Sequence, residues 1–451
     1  MNSIYQTLLN RTVHRQVLWL AIPMVLSNIT VPLLGLVDTA VIGHLSHAWY
    51  LGGVALGSTL ISVSLWLLGF LRMSTTGLTA QAVGRANREQ QARVLLQGLA
   101  MAMLLACGFL LIHQWIVDVA FHFSDASDKV KHYGEQYFSI RVLSAPAALA
   151  NYVLLGWLLG TQNAKAPMWM VILTNIVNVS CDLWFVVGLE WQVAGAAWAS
   201  VIADYVGTIF ALLCVWRYWV KQHLPLPWVA WRGSTQGLSR FIKLNRDIFL
   251  RSLCLQLVFS FMTFQGAALG DRTVAANAIL MSFVMFISYG MDGFAYAMEA
   301  MVGKAIGADS RQRLKEAMIG TVFWSLLICS GLTVVFGVLG DTLLGFMTNI
   351  AEVHHIALIY LPWLVAMPLV SMWCFLLDGV FIGATKGIEM RNSMFVAAAT
   401  FFVVLLSTPL LGNHGIWLAM LCFMAMRGLT LAFVLTRQWR QQIFFSHVEN
   451  H

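Results

Sequence analysis

Long apolar runs separated by short polar stretches recur along this chain from end to end. Twelve emerge, at about 17–43, 50–72, 94–117, 136–160, 168–189, 193–217, 246–270, 277–302, 317–340, 356–384, 393–412 and 415–436. Each is long enough for a helix to cross bilayer hydrocarbon, which takes roughly 20 residues. Barrel strands would be about ten residues long and would alternate. Only helices or closed barrels satisfy their backbone in lipid. The pattern therefore predicts an all-α polytopic membrane protein with twelve transmembrane helices.

The chain also resembles itself at a shift near 223. Ala82 and Gly84 fall on Ala305 and Gly307, Arg88 on Arg311, and Gly156 and Gly160 on Gly379 and Gly383. Six spans per half is an even number, so both halves enter the membrane in the same sense. That makes a parallel repeat about an axis along the membrane normal. The expected organisation is an N-terminal six-helix lobe (1–217), a cytoplasmic interfacial linker (218–245) and a C-terminal six-helix lobe (246–451). Pro225, Pro227, Trp228 and Trp231 give the linker the character of a strap at the interface, where Trp is favoured.

Polar residues inside the apolar runs carry the candidate chemistry. Asp38 ends a run from Val17 to Gly43 that holds no other charge. An intramembrane carboxylate is costly and by default marks a transport or proton site. Pro23 and Pro32 precede it in the same span, and each removes a backbone hydrogen bond, which makes a hinge there plausible on chemical grounds. Asn175, Asn178 and Asp182 share one helical face of the fifth span. Ser200 and Asp204 in the sixth, and Tyr137 and Asn151 in the fourth, are candidate cavity residues. Arg141 reads as snorkelling to the exterior interface. In the second half the candidates are Asp378, Glu299 near the interior end of its span, and Arg427, which takes the repeat position of Asp204.

Composition narrows the class. The chain has 451 residues, 59% hydrophobic and 10% charged, against about 25% charged in a soluble domain. Net charge is +7. With both termini placed inside, most Lys and Arg fall in interior loops, as the positive-inside rule requires. The connector from 217 to 251, counted as loop, includes Arg246 and Arg251. No nucleic-acid module is evident. The seven cysteines sit in apolar stretches without a CxxC pair and read as core residues. His113, His122, His132, His354 and His355 read as solvated exterior-loop residues, not zinc ligands. The polar start runs directly into a full-length span, which reads as no cleavable signal peptide. No phosphate loop, HExxH or nucleophile elbow occurs. The protein is therefore expected not to be an enzyme, to have no cofactor, and to draw energy from an ion gradient, H+ or Na+.

At these residues the chain resembles the multidrug and toxic compound extrusion (MATE) family. The resemblance lies in Val37-Asp38-Thr39-Ala40-Val41-Ile42-Gly43-His44-Leu45, in Ala82-Val83-Gly84 with its repeat Ala305-Ile306-Gly307, in Asn178 to Asp182, and in Asp378-Gly379-Val380-Phe381-Ile382-Gly383-Ala384-Thr385-Lys386. The first and last resemble the DNA-damage-inducible F branch. The resemblance implies a V-shaped pair of six-helix bundles that exports amphipathic, often cationic drug-like compounds in antiport with H+ or Na+. It implies an N-lobe coupling site at Asp38, Asn178 and Asp182, with a bend at Pro23. Tyr137 and Ser200 would line the same cavity. A different branch uses a C-lobe cation site with acids in the seventh and tenth spans. Here Asp378 is present, but the seventh span shows no interior acid.

The leading expectation is proton-coupled efflux by a monomer in a bacterial inner membrane, both termini cytoplasmic. Asp38 and Asp182 would titrate as a coupled pair. The alternatives are a sodium-coupled antiporter of the same fold and a lipid-linked glycan flippase, which would need a more strongly charged cavity. A channel or receptor would need a filter or ligand domain that the sequence lacks.

Overall fold

The protein was analysed as a computed structural model that describes residues 2–43, 47–124, 126–232 and 237–444. The side chains of residues 2–4, Leu36, Asp38, Thr39, Ala48, Arg232 and Ala267 lie outside that description. Among the described residues every regular element is helical. Twelve helices are long and apolar enough to cross a membrane. In order they are Arg11–Gly43, Trp49–Gly84, Arg88–His122, Asp128–Gly160, Lys165–Gly188, Gln192–Lys221, Leu238–Gly266, Asp271–Gly307, Arg311–Met347, Ala351–Gly383, Gly387–Leu405 and Asn413–Arg440. They are called the first to twelfth spans below. Leu111, Phe346 and Leu410 stand more than four-fifths exposed, as side chains facing lipid do.

Several spans extend beyond their apolar runs. The fourth begins at Asp128 and the seventh at Leu238, so polar turns that read as loops are helical. The five histidines read as loop residues all lie in helices. Between the sixth and seventh spans lies a short helix, Pro227–Arg232.

By contacts the chain divides into two compact units, Met1–Val25 with Arg240–His451, and Leu26–Ser239. Within the first unit, the start of the first span packs at small residues. A Cβ on Gly320 would fall 2.7 Å from Val13, and one on Gly293 2.4 Å from Val25. Trp324 donates to His14 Nδ1 at 3.0 Å and fixes the same segment.

The repeat is written in backbone geometry. Asn87 caps the third span by accepting from Gln90 N at 2.9 Å. Ser310, 223 positions on, caps the ninth by accepting from Arg313 N. Each cap follows a non-glycine residue at positive φ, Ala86 at 53° and Asp309 at 48°. Gln162 at 67° and Thr385 at 55° repeat the pattern. All four turns close with the amide that ends a helix bonded back to the helix: Asn87 to Ala82, Ser310 to Ala305, Asn163 to Leu158, Lys386 to Phe381. This satisfies carbonyls the helix leaves open. The packing glycines repeat as well. A Cβ on Gly156 would meet the Arg72 carbonyl at 2.4 Å, and one on Gly379 the Ala295 carbonyl at 2.8 Å.

Candidate functional site

Helical irregularities cluster where the charges lie. The fifth span is α-helical to Asp182 and then continues as a π-turn, Leu183–Gly188. The fourth is interrupted by a 3-10 turn, Val142–Ser144, directly after Arg141. Such deviations from the α ladder re-aim side chains and often mark functional positions.

In the Leu26–Ser239 unit, Asp182 is 1% exposed and Asn178, one turn earlier, 3% exposed. Asn178 Nδ2 donates to Ser200 Oγ at 2.9 Å. This joins the fifth and sixth spans and orients the amide. Asn178 Oδ1 is buried with no hydrogen-bond donor. Asn175, on the same face, donates to Thr30 Oγ1 of the first span at 2.7 Å. The polar face of the fifth span therefore meets the helix that carries Asp38. The backbone places Asp38 in that helix, which continues through Pro23 and Pro32. The Asp38 side chain lies outside the described ones.

Arg141 does not snorkel. Its Nη1 meets Asp204 Oδ2 at 2.6 Å, with both side chains 16% exposed. It also bonds the Ser144 hydroxyl. Tyr137 lies beside the same guanidinium, and Asn151 Nδ2 donates to the Asp204 backbone carbonyl at 3.1 Å. Tyr137, Asn151 and Asp204 thus form one cluster around Arg141, while Ser200 and Asn175 belong with Asn178.

The Arg240–His451 segment holds a different arrangement. Arg251 and Arg427 both bond Asp378 Oδ2, Arg427 at 2.8 Å. All three are deeply buried. The Arg427 guanidinium also lies 5.6 Å from the Phe423 ring centroid. Arg251 counts with the connector in the sequence although the 246–270 run already contains it, and the helix, which begins at Leu238, places it well inside the seventh span. Asp247, at the very start of that run, is an interior acid of the span because the helix begins nine residues before it. It is buried and paired with Arg391 at 2.8 Å and Arg246 at 3.1 Å. Glu299 is 1% exposed and not solvated.

The sequence model of the MatE family matches residues 23–184 and 248–410. The chain belongs to the MatE family. Each matched segment runs from the first to the fifth span of one copy of the repeat. The first contains Asp38, Asn178 and Asp182; the second contains Arg251 and Asp378. The chain is 47% identical to DNA damage-inducible protein F of Escherichia coli over 432 residues, 95% of this chain and 94% of that one. It is 23% identical to the probable multidrug resistance protein NorM of Bacillus cereus, over 76% of each chain. A crystal structure of a single-residue mutant of the Vibrio cholerae MATE transporter VcmN superposes with TM-score 0.86 at 19% identity, over 99% of this chain and all of that one. The fold is that of the MATE transporters, and the family is one of multidrug and toxin extrusion transporters, not enzymes.

Proposed function

We propose that this protein is a secondary active exporter of amphipathic organic cations in antiport with H+, coupled through Asp38 and Asp182. Asp182 and Asn178, buried side by side with the free acceptor Asn178 Oδ1, carry the proposal. A buried carboxylate beside an amide oxygen that lacks a donor draws a positive charge or a donor. A proton supplies one, and a substrate ammonium supplies the other. Because each satisfies the same need, they bind in competition, and competition at a site with alternating access is antiport.

Each residue has a step. Ser200 holds the Asn178 amide so that Oδ1 faces the site. Oδ1 then accepts from the protonated acid or from the N–H of a substrate that carries one, while a donor-less cation is drawn by the carboxylate charge alone. Thr30 and Asn175 transmit a change at the fifth span to the first. Pro23 and Pro32 let that span bend where backbone hydrogen bonds are missing. Protonation from outside neutralises the acids and releases the cation; deprotonation inside restores the charge that attracts it. The bacterial relatives favour a bacterial inner membrane, and the loop charges favour both termini on its cytoplasmic side. An oxygen such as Asn178 Oδ1 also suits Na+, which is the second reading. The arginines found within spans are weaker support for a flippase, since Arg141, Arg251 and Arg427 are each paired with a carboxylate.

The test is proton release. In lightly buffered detergent solution, saturating the protein with tetraphenylphosphonium should release about one proton per bound cation, as linkage requires. Asp182→Asn and Asp38→Asn should each reduce the release. Unchanged release in both would overturn the proposal.

A further inference from the structure

Within the Leu26–Ser239 unit, the start of the second span meets the start of the fourth. A cavity of about 380 Å³ opens between them. Pockets that hold small organic molecules begin at roughly this size. Its walls are aromatic. The His47 and Trp49 rings lie 4.1 Å apart, and the Tyr50 and Tyr133 rings meet edge-on at 4.7 Å. Asp128 supplies a carboxylate at the rim. Lys129 lays its ammonium 4.0 Å from the centroid of the Trp49 ring.

The walls are fixed by the backbones that carry them. A Cβ on Gly53 would fall 2.6 Å from Tyr133 Cβ, and one on Gly57 2.7 Å from the Gly134 carbonyl. Two helices this close leave the rings little freedom to move apart. The Trp49 face is already shown to accept a cation, because Lys129 sits on it. The cavity is larger than one ammonium requires.

We propose that this vestibule binds an organic cation bearing a quaternary ammonium, and that Lys129 is a tethered competitor covering the Trp49 face when the site is empty. The ring faces attract the cation through their quadrupoles, and Asp128 offsets its charge. The inference goes beyond the transport reading, since binding here requires neither Asp182 nor a gradient.

The experiment uses the full chain in nanodiscs of phosphatidylethanolamine and phosphatidylglycerol, which lack choline headgroups. The probe is benzyltrimethylammonium, compared with its uncharged carbon isostere by saturation-transfer NMR titration. Saturable binding of the cation alone is expected. Lys129→Gln should tighten it about threefold, the size of one exposed cation–π contact. Trp49→Phe, which keeps an aromatic ring in place, should weaken it severalfold, and Trp49→Leu more. The Lys129→Gln and Trp49→Phe effects should persist in the Asp182→Asn background, which separates this site from the proposed transport site. Equal binding of the isostere would mean the rings only anchor the protein at the bilayer interface, and would overturn the proposal. So would absent saturation, or indifference to both Lys129→Gln and Trp49→Phe, whether in the wild-type or the Asp182→Asn background.

Discussion

Asp182 and Asp378 are both acids buried inside spans, yet their neighbours give them different work. Asp378 is held by two guanidiniums on one oxygen, so it is compensated by the protein itself. Asp182 stands beside an amide oxygen that lacks a donor, a setting that suits an exchangeable proton or cation. The difference is testable by stability. Asp378→Ala leaves two buried guanidiniums without their carboxylate and should cost about 3–5 kcal/mol, read as a clear fall in melting temperature. Asn178→Ala removes one neutral hydrogen bond and should cost about 1 kcal/mol. Equal melting of the two variants would contradict this assignment. At this scale the sequence shows which residues are out of place but not whom they meet. Arg141 lies 63 residues from Asp204, and Arg251 lies 127 from Asp378. Neither pairing follows from helical spacing. Arg251 was hidden further, because its charge set it among the connector's basic residues rather than in the span that holds it.

Among elements, much more was legible. Apolar length is a local property, and it marks the twelve spans, though not their polar ends. The glycine repeat at 223 is legible because close helix packing demands the same residue in both copies. The structure supplies the reason: Gly160 and Gly383 stand where Cβ atoms would approach the Thr76 carbonyl at 2.9 Å and the Glu299 carbonyl at 2.6 Å. Gly383→Ala should therefore cost about 1–3 kcal/mol through overpacking. Gly108→Ala, where a Cβ meets nothing within 4 Å, should be neutral or stabilising by up to about 1 kcal/mol from helix propensity. Thermal unfolding of the two variants in one detergent checks both. The break after Arg141 has a mark in the sequence, Pro146, which lacks the N–H that would bond the Val142 carbonyl and stands second in the helix that resumes at Ala145. The π-turn after Asp182 has no proline, and Gly188 stands only at its end, so that break was not legible.

For the whole molecule, charge placement and repeat symmetry are consistent with a transporter built from two copies of one six-span unit. The first span is the exception to tidy division. Its residues up to Val25 cluster with 240–451, and those from Leu26 with the other unit. A helix shared in this way, containing Pro23 and Pro32 and bonded at Thr30 to Asn175, is suited to couple a chemical event in the acidic site to movement. The account's central claim is that this event is protonation. The most direct measurement is cation transport in proteoliposomes under a pH gradient without Na+, and under a Na+ gradient at fixed pH. The account predicts transport under the pH gradient only, and its loss in Asp38→Asn and Asp182→Asn proteins that still fold. Transport driven by the Na+ gradient alone, or normal pH-driven transport in both variants, would contradict it.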